Sequence, residues 1–431
     1  MRIPMRYGRK GLNIDLPDDT EVDIIKKRVM PVIEDPGLAI ETALSTPVAS
    51  LPLEDEAGKC KDACILICDN TRPVPNSIIL PVLIEKLIEA GLGPSSITVL
   101  IATGLHRPNE GDELRELVGS DWVLKNVNVV NHFALNDDDH IYLGTTSKGM
   151  PVKIDRRFVN AGLRIVIGLI EPHFMAGYSG GRKVIIPGIA HHDTIRALHS
   201  ARMLMRDGVE NCEIQKNPMH AEQMEAIKMI GRCLAINTVI DEHRNISFIN
   251  FGGIEESHID AVLYAKPFFE IPVPRRYRTV ITSSAGYPLD RNYYQTVKGM
   301  VGAIDILEPG GDMFIVSECT EGLGTKDYAE SQKRLINLGI DGFLKETLKK
   351  DSASIDEWET VMQIKAMKKG RLHIYSEGLK EEEKMLTGIE VVLSLEGSIL
   401  KSIKEAGDRH IAVIPEGPYV IPVYRQDKKI I

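Results

Sequence analysis

The chain has 431 residues, a length that predicts two or three domains rather than one. Apolar residues make up 43% and charged residues 26%, which is typical of a globular protein and excludes a disordered chain. The 52 basic and 61 acidic side chains give a net charge of −9, which argues against a general nucleic-acid binder. No apolar run approaches the ~18 residues needed to span a bilayer, and no apolar segment follows the basic N-terminus, so we expect a cytoplasmic protein.

Apolar stretches of strand length alternate with helical patterns through the first 265 residues. Strands are predicted at 63–68, 97–103, 163–170, 234–240 and 246–251, with another strand within 122–132 and a hairpin over 140–158. Helices are predicted after residue 76, at 110–119, at 219–230 and near 254–265. Cys64 and Cys68 fall on the first of these strands, and we interpret them as core thiols rather than a cluster site.

Residues 266–278 are rich in proline and arginine, and they form the predicted boundary between domains 1–265 and 266–431. Beyond them the alternation resumes, with strands at 279–283, 312–316, 372–376 and 410–414 and helices at 293–307, 331–349 and 398–406. The closing segment, 417–425, could return to the first domain. The sequence therefore predicts an α/β fold of two domains, each a mostly parallel Rossmann-like sheet with flanking helices, and a site in the cleft between them.

Polar residues stiffened by proline or glycine follow three of the predicted strands. The first strand runs into Asp69–Arg72, the second into a loop that carries His106, and the third into Glu171-Pro172-His173. Because ligands of open α/β sheets bind beyond the carboxyl ends of the strands, these residues predict a site if the strands are neighbours. The alternative interpretation is that the strand ends simply meet water.

The segment 177–183, GYSGGRK, is glycine-rich and basic, so its backbone could approach and hold an anion. It lacks P-loop spacing, and the dinucleotide fingerprint G-x-G-x-x-G is missing from the chain. Residues 177–181 match the G-x-S-x-G nucleophile elbow, which would make Ser179 the nucleophile of a serine hydrolase. The elbow needs a strand directly before the serine and a helix directly after it, and the intervening residues and the following proline disfavour that hypothesis.

Two further groups of residues suit ligand binding. His191, His192 and His199 are a dense histidine group without a zinc-site spacing, so one of them as a metal ligand is a hypothesis only. Gln295 and Lys298 are three residues apart on a predicted helix and share a face, where an amide and a cation would suit a carboxylate. The alternative for this pair is a solvated helix face.

Five motifs together make the chain resemble a known family. In order they are DNTRP, TGLHRP, EPHFMAGYSGGRK, the ALHS histidine and GYPLDRNYYQTVKGM, spread from about residue 60 to residue 300. The chain is similar to the nickel-dependent lactate racemases and the wider family of 2-hydroxyacid racemases and epimerases. The resemblance implies nickel and a pyridinium-3,5-bisthiocarboxylate mononucleotide, the nickel pincer nucleotide, as cofactors.

The resemblance also assigns roles by position. It implies that Lys183 bonds covalently to the cofactor and that His199 binds nickel, with His191 and His192 left without a role. It places the two catalytic histidines at His106 and His173. The remaining implied site residues are Asp69, Asn70, Thr71 and Arg72 for the cofactor, and Arg72, Tyr294, Gln295 and Lys298 for the substrate.

The implied reaction is interconversion of D- and L-2-hydroxyacids by hydride transfer through a keto acid. Lactate is the leading substrate. Cofactor-synthesis and nickel-insertion proteins are the implied partners, besides a small-molecule substrate. Three alternatives stay open from the sequence: the same chemistry on malate, a longer or a sugar acid; a serine hydrolase; and a non-enzymatic nucleotide-binding module.

Overall fold

The structure, a computed structural model, describes residues 1–425. The strands of this part, in chain order, are β1 Arg2–Met5, β2 Leu12–Asp15, β3 Glu21–Ile24, β4 Ala63–Cys68, β5 Ile97–Ala102, β6 Asn128–Asn131, β7 His140–Thr145, β8 Pro151–Asp155, β9 Leu163–Leu169, β10 Pro172–His173, β11 Gly177–Tyr178, β12 Leu234–Ile240, β13 Ile246–Gly253, β14 Glu270–Val273, β15 Tyr277–Ser283, β16 Leu307–Val316, β17 Arg371–Tyr375, β18 Glu390–Val391, β19 His410–Ile414 and β20 Ile421–Tyr424.

The helices of the same part are α1 Pro36–Ser45, α2 Leu53–Ala57, α3 Asn76–Glu89, α4 Gly111–Val118, α5 Asp121–Asn126, α6 Arg156–Asn160, α7 Arg182–Ile185, α8 His192–Leu198, α9 Ala201–Leu204, α10 Pro218–Ile230, α11 Glu256–Phe269, α12 Tyr293–Gly302, α13 Lys326–Thr347, α14 Glu357–Lys369, α15 Glu381–Lys384 and α16 Leu395–Ala406. Of these helices, none has the length and apolar character that crossing a bilayer requires.

Two six-stranded sheets form the framework. The first has the order β13-β12-β9-β4-β5-β6, parallel except for the edge strand β13, and the second has the order β18-β17-β16-β15-β19-β3, parallel throughout. The α/β fold expected from the alternating pattern is therefore confirmed.

Burial on both faces of the first sheet explains its continuous apolar strands. On β4, Cys64 and Leu66 pack into one apolar cluster, whereas Ile65 and Ile67 pack into another on the opposite face. A strand covered on both sides shows no alternation of polar and apolar residues, as parallel sheets require. The cysteines of the chain are free thiols, in agreement with their interpretation as packing residues.

The strands near both ends of the chain pair with strands that lie after the predicted boundary at residues 265 and 266. β3 lies beside β19 and extends the second sheet, so the N-terminal strand belongs with the C-terminal sheet. β20, in the closing segment that could have returned to the first domain, pairs with β14 inside the boundary segment. Both pairings join residues far apart in the chain, which local pattern does not reveal.

Helix bounds in the second half differ from the predicted ones. α12 ends at Gly302, because Leu307 already begins the next strand, and α13 begins at Lys326, with Thr325 as its cap. α14, Glu357–Lys369, was not predicted at all. In the first half α10 is capped by Asn217, whose side chain accepts hydrogen bonds from Met219 and His220 N–H groups, as predicted from its Asn-Pro start.

Candidate active site

The three polar segments predicted at strand ends meet at one edge of the first sheet, because β4 lies between β5 and β9. His106, from the loop after β5, places its Nδ1 2.6 Å from Oδ2 of Asp69, which follows β4. Arg72, also after β4, forms an ion pair with Glu171, which follows β9. Strand order alone therefore gathers a histidine, an arginine and two carboxylates at this edge.

Asp69 is the anchor of its loop. Its side chain is buried, and it accepts hydrogen bonds from Thr71 Oγ1 at 2.5 Å and from the Thr71 N–H at 3.2 Å, besides the contact with His106. Burial alone would raise the pKa of Asp69, but the hydrogen bonds from His106 and Thr71 outweigh it and lower the pKa. Asn70 points away, since its amide donates to Glu113 on α4.

His173 meets Lys183 because the chain folds back on itself. β10 and β11 form a small antiparallel pair after β9, and the following turn packs on the β9 backbone. Gly180 has φ +77°, and its Cα would lie only 2.8 Å from a Cβ at Gly168, so the close approach requires glycine at both positions. The turn leads directly into α7 and places Lys183 Nζ 2.7 Å from His173 Nε2.

The glycines of this turn therefore serve packing within the chain. A Cβ at Gly180 would lie 2.4 Å from Ile170, and one at Gly181 would lie 3.0 Å from His258. The glycine-rich segment had suggested a backbone cradle for an anion, but the space beside these two glycines is filled by the protein's own side chains. What the turn supplies to the cleft is the side chain of Lys183.

The proton positions on His173 and Lys183 follow from their partners. Nδ1 of His173 accepts from the N–H groups of Met175 and Ala176, both at 3.2 Å, so a neutral ring carries its proton on Nε2. Burial and the cations Lys183 and Arg72 lower the pKa of His173. Burial and the nearby cations likewise hold the pKa of Lys183 well below its usual range. A neutral Lys183 amine can then accept the His173 Nε2–H.

His199 lies at the end of α8, and one of its ring nitrogens already has a hydrogen-bond partner. Its Nδ1 lies 2.8 Å from the Ile195 carbonyl oxygen, so Nδ1 carries the proton and donates, which leaves the Nε2 lone pair free. Burial lowers the pKa of His199 to about 4, which keeps the ring neutral at physiological pH. A neutral imidazole with an oriented N–H is the form in which histidine binds metal ions.

His191 and His192 belong to a different cluster. Their ring nitrogens and a carboxylate oxygen of Asp193 lie within 4.8 Å of one another. However, His191 Nε2 faces Asp137 at 2.8 Å, and the Asp193 carboxylate accepts from Lys153 at 2.6 Å. These partners already occupy the cluster, which caps the start of α8.

The second sheet contributes its residues through α12. Asn292 caps this helix by accepting from the Gln295 N–H, and Lys298 Nζ donates to Gln295 Oε1 at 2.5 Å, as their shared helix face predicted. Tyr294 Oη accepts from the Trp358 indole N–H at 3.0 Å. Lys298 is among the cations that lower the pKa of His173 and of Lys183, so α12 lies near this edge of the first sheet.

Several residues of this cleft were missed by the sequence reasoning. The Trp358 ring lies 5.2 Å from the His199 ring between centroids and is tilted by 48° to it, and Glu359 is the next, buried residue on the unpredicted α14. Burial raises the pKa of Asp356, just before this helix, and the charge of His106 is among the contributions that oppose the rise. The sequence offered one weak indication of these residues, which is that Trp358 is one of only two tryptophans in the chain.

Ser179 hydrogen-bonds to backbone groups of its own domain. Its Oγ donates to the Leu169 carbonyl at 2.6 Å and accepts from the Glu171 N–H at 3.0 Å, and the side chain is buried. Its hydroxyl proton is therefore directed at the backbone. The nucleophile of a serine hydrolase must instead donate its proton to a histidine base.

The fold is α/β, with two mostly parallel sheets that both contribute candidate site residues. The lactate racemase N-terminal domain family matches residues 7–211, and the lactate racemase C-terminal domain family matches residues 275–422. The chain therefore belongs to the lactate racemase family. It is accordingly an isomerase, of the racemase class.

Characterised relatives and solved structures agree. A lactate racemase from Thermoanaerobacterium thermosaccharolyticum is 32% identical over 369 residues, which are 83% of this chain and 84% of the relative. One from Lactiplantibacillus plantarum is 33% identical over 290 residues, 67% of this chain and 68% of the relative. The lactate racemase apoprotein structure from the first organism superposes with a TM-score of 0.90 at 28% identity, over 99% of this chain and 100% of that one. A Thermotoga maritima protein shares the fold, with a TM-score of 0.66 and 18% identity over 90% and 98% of the two chains.

Proposed function

We propose that this protein interconverts the D and L forms of a 2-hydroxyacid, with lactate as substrate, by hydride transfer through the keto acid. The observation that carries the proposal is the complementary protonation of two histidines at one sheet edge. Nδ1 of His106 faces a carboxylate and so carries the proton, which leaves Nε2 as a base, whereas His173 carries its proton on Nε2. The printed names of the two relatives support lactate.

The residues fit the nickel pincer nucleotide that the family resemblance implies. Lys183 offers a half-buried amine with several cations near it, in the neutral form that a covalent bond to an acyl-type group needs. His199 offers one free imidazole nitrogen and a fixed N–H, in the form that nickel needs. Lys183 would hold the nucleotide and His199 the metal, with Asp69 to Arg72 beside them. When bound, this group would supply a hydride acceptor.

Two bases are needed because each enantiomer presents its hydroxyl to a different side of the site. For one hand, His106 Nε2 takes the hydroxyl proton as the α-hydrogen leaves as hydride. For the other hand, His173 would take it at Nε2, which requires the ring proton to move first from Nε2 to Nδ1. Each histidine returns a proton when the reaction runs the other way. Asp69 holds the His106 ring in place through Nδ1, as a carboxylate does beside a catalytic histidine. Covalent attachment would occupy the Lys183 lone pair and so remove the acceptor that holds the His173 proton on Nε2.

The remaining residues hold the acid in place. Lys298 and Gln295 present a cation and an amide for the substrate carboxylate, which suits a charge-assisted hydrogen bond. Arg72, fixed by Glu171, would face the hydroxyl or keto oxygen. Removing the α-hydrogen as a proton would build negative charge beside this carboxylate, and hydride transfer avoids that charge. Tyr294 and Trp358 close the second side of the cleft.

We further propose a cytoplasmic enzyme that receives its cofactor from cofactor-synthesis and nickel-insertion proteins. The same residues would serve malate, a longer or a sugar 2-hydroxyacid, since the carboxylate and hydroxyl are common to all. Of the side chains that could bound the R-group pocket, Tyr178 is buried and donates to Glu270, whereas Tyr294 lies at the cleft. The activity test therefore decides which of these acids is the substrate.

The test uses the protein co-expressed with cofactor-synthesis proteins and L-lactate carrying deuterium at the α-carbon. We expect D-lactate that retains deuterium, measured by chiral chromatography with mass spectrometry, because a transferred hydride does not exchange with water. Washout of deuterium would contradict hydride transfer. Turnover of malate or a sugar acid without turnover of lactate would reassign the substrate, and turnover of none by the loaded protein would contradict the proposed function.

A further inference from the structure

A buried asparagine at the start of α10 contacts the loop that follows His173. Asn217 is 1% exposed, and its Oδ1 accepts hydrogen bonds from the Met219 and His220 N–H groups at 2.9 and 3.3 Å. Because these two donors require an oxygen, the amide nitrogen faces the other way, where it donates to the Met175 carbonyl at 2.9 Å. Asn217 therefore joins the cap of α10 to the loop beside His173.

The Met175 carbonyl belongs to the same planar peptide group as the Ala176 N–H. In a trans peptide these two groups point in opposite directions. The hydrogen bond from Asn217 on one side therefore turns the Ala176 N–H to the other side, where it donates to His173 Nδ1 at 3.2 Å. The Ala176 carbonyl is also held, since the buried Arg182 guanidinium donates to it at 2.7 Å. Buried side chains thus fix both carbonyls of this turn.

The direction of the N–H groups in this turn decides which ring nitrogen of His173 carries the proton. Nδ1 accepts from Met175 and Ala176, so the proton lies on Nε2, which is 2.7 Å from Lys183 Nζ. An ammonium group has donors only, so Lys183 accepts this hydrogen bond as a neutral amine. With the proton on Nδ1 instead, Nε2 would accept from Lys183, which favours the ammonium form.

We propose that Asn217 is a positioning residue that fixes the His173 proton on Nε2 and thereby keeps Lys183 in the neutral form that cofactor attachment needs. The inference rests on the proposed function, because it takes Lys183 as the residue that bonds to the cofactor. Asn217 acts through one peptide group and through His173, and it contacts neither cofactor nor substrate in this scheme. It lies outside the five sequence motifs that mark the family.

The surroundings of the two side chains agree with this assignment. Burial lowers the pKa of Lys183, and the other groups that act on it are the cations Arg72, Arg182 and Lys298, which lower the pKa further, and Cys68, which opposes them. Burial also lowers the pKa of His173, with further lowering by Lys183, Arg72, Lys298 and His199. Among residues 1–425, none of these groups hydrogen-bonds to Asn217. A change at Asn217 therefore leaves these direct electrostatic partners in place.

Two substitutions separate this role from the capping of α10. Asn217→Ser and Asn217→Asp both keep an oxygen for the cap, and serine and aspartate cap helices about as well as asparagine. Neither can cap the helix and donate to the Met175 carbonyl at once, because an aspartate has no donor and the serine side chain is shorter. Asn217→Ser adds no charge, so an effect that both variants share does not come from a new carboxylate.

The first readout is the position of the His173 proton. It is measured by nitrogen-15 NMR of the full-length protein, expressed without cofactor and labelled at its histidines, with His173→Gln to assign the signals. In the wild type we expect Nδ1 to give the signal of an unprotonated ring nitrogen and Nε2 that of a protonated one. In both Asn217 variants we expect Nδ1 to become protonated, wholly or in part.

The second readout is acetylation of Lys183 relative to the exposed Lys401 between pH 6 and pH 10, in the same proteins. One unit of pKa changes the neutral fraction of an amine about tenfold. We expect Lys183 to react about tenfold or more slowly in both variants than in the wild type at pH 7, with the difference shrinking toward pH 10. Ser120→Ala, which removes the cap of α5, is the control and should lower Tm without changing either readout.

A protonated Nδ1 in the wild type, or an unchanged His173 proton position in both variants, would overturn the inference. So would an equal loss of acetylation at every pH, which indicates lost access rather than a change in protonation. Both readouts need no turnover, so they are separate from the proposed function, which fails if the loaded wild type racemises none of the acids. Asn217→Thr serves as the neutral variant if Asn217→Ser does not fold, as judged by circular dichroism.

Discussion

Lys183 Nζ lies 2.7 Å from His173 Nε2, and the two groups are arranged as a neutral amine that accepts a hydrogen bond from a neutral imidazole. Both have pKa values well below their ordinary ranges, chiefly because of burial. The contact joins the residue proposed to carry the cofactor to one of the two proposed bases.

Lys183 should react with amine reagents at neutral pH faster than the surface lysines. A neutral amine is nucleophilic, whereas an ordinary lysine with a pKa near 10.4 is almost fully protonated at pH 7. The measurement is limited acetylation of the protein expressed without cofactor, followed by peptide mass spectrometry. Lys401, exposed on α16, is the internal reference. Slower acetylation of Lys183 than of Lys401 would contradict a neutral, accessible amine.

His106→Ala and His173→Ala should each lower the racemisation rate by about 10²–10⁴-fold while the protein stays folded, because general acid–base catalysis contributes about that much. The rate is measured by chiral chromatography in both directions, on loaded protein. His243→Ala, at an exposed turn, is the control and should racemise at the wild-type rate. A near-wild-type rate in either catalytic variant would disprove the scheme of two bases.

Ser179→Ala should retain racemisation and lose about 1 kcal/mol of stability, because its hydroxyl serves two backbone groups. The two readouts are the racemisation rate and the midpoint of urea unfolding. Retained activity would exclude the serine-hydrolase alternative. A fall in activity of more than about a hundredfold, with normal stability, would instead favour Ser179 as a nucleophile.

The protein should lose stability as pH falls below about 6.5, partly through His258 and His220. Burial lowers the pKa of both, that of His220 to about 3, so the unfolded chain binds protons before the folded one does. Each such group contributes up to about 2 kcal/mol of lost stability between pH 6.5 and 5.

Urea unfolding at pH 7 and pH 5 measures this loss, with the change between the two pH values as the quantity compared. His258→Gln should show a smaller loss than the wild type, since glutamine does not titrate. His243→Gln, exposed to solvent, should lose as much as the wild type. Equal losses in all three proteins would rule out His258 as a contributor.

Many of the residues at the edge of the first sheet could be predicted from local sequence pattern. Fully apolar strands such as β4 and β9 are unambiguous, and loops stiffened by proline and glycine carry Arg72, His106 and His173 at their ends. That these loops would be neighbours was a conditional prediction, and the β5-β4-β9 order confirms it. The contact between Lys183 and His173 could not be predicted, because it depends on a turn packed against Gly168.

The second side of the cleft was predicted less completely, for a physical reason. α14 buries Glu357, Glu359, Thr360 and Gln363 along with its apolar residues, so it lacks the polar and apolar stripes that reveal a surface helix. β3 is only half-buried and four residues long, and its place beside β19 depends on a contact between the two ends of the chain. Both features arise from tertiary pairing rather than local pattern.

The measurement that tests the account most directly is mass spectrometry with nickel analysis, after co-expression with cofactor-synthesis proteins. We predict a mass increase that maps to the peptide containing Lys183, with about one nickel per chain. Lys183→Ala should show no adduct, and His199→Ala should keep the adduct but lose nickel. An adduct on another residue, or its persistence in Lys183→Ala, would contradict the account. So would an unmodified protein under conditions in which a known family member is loaded.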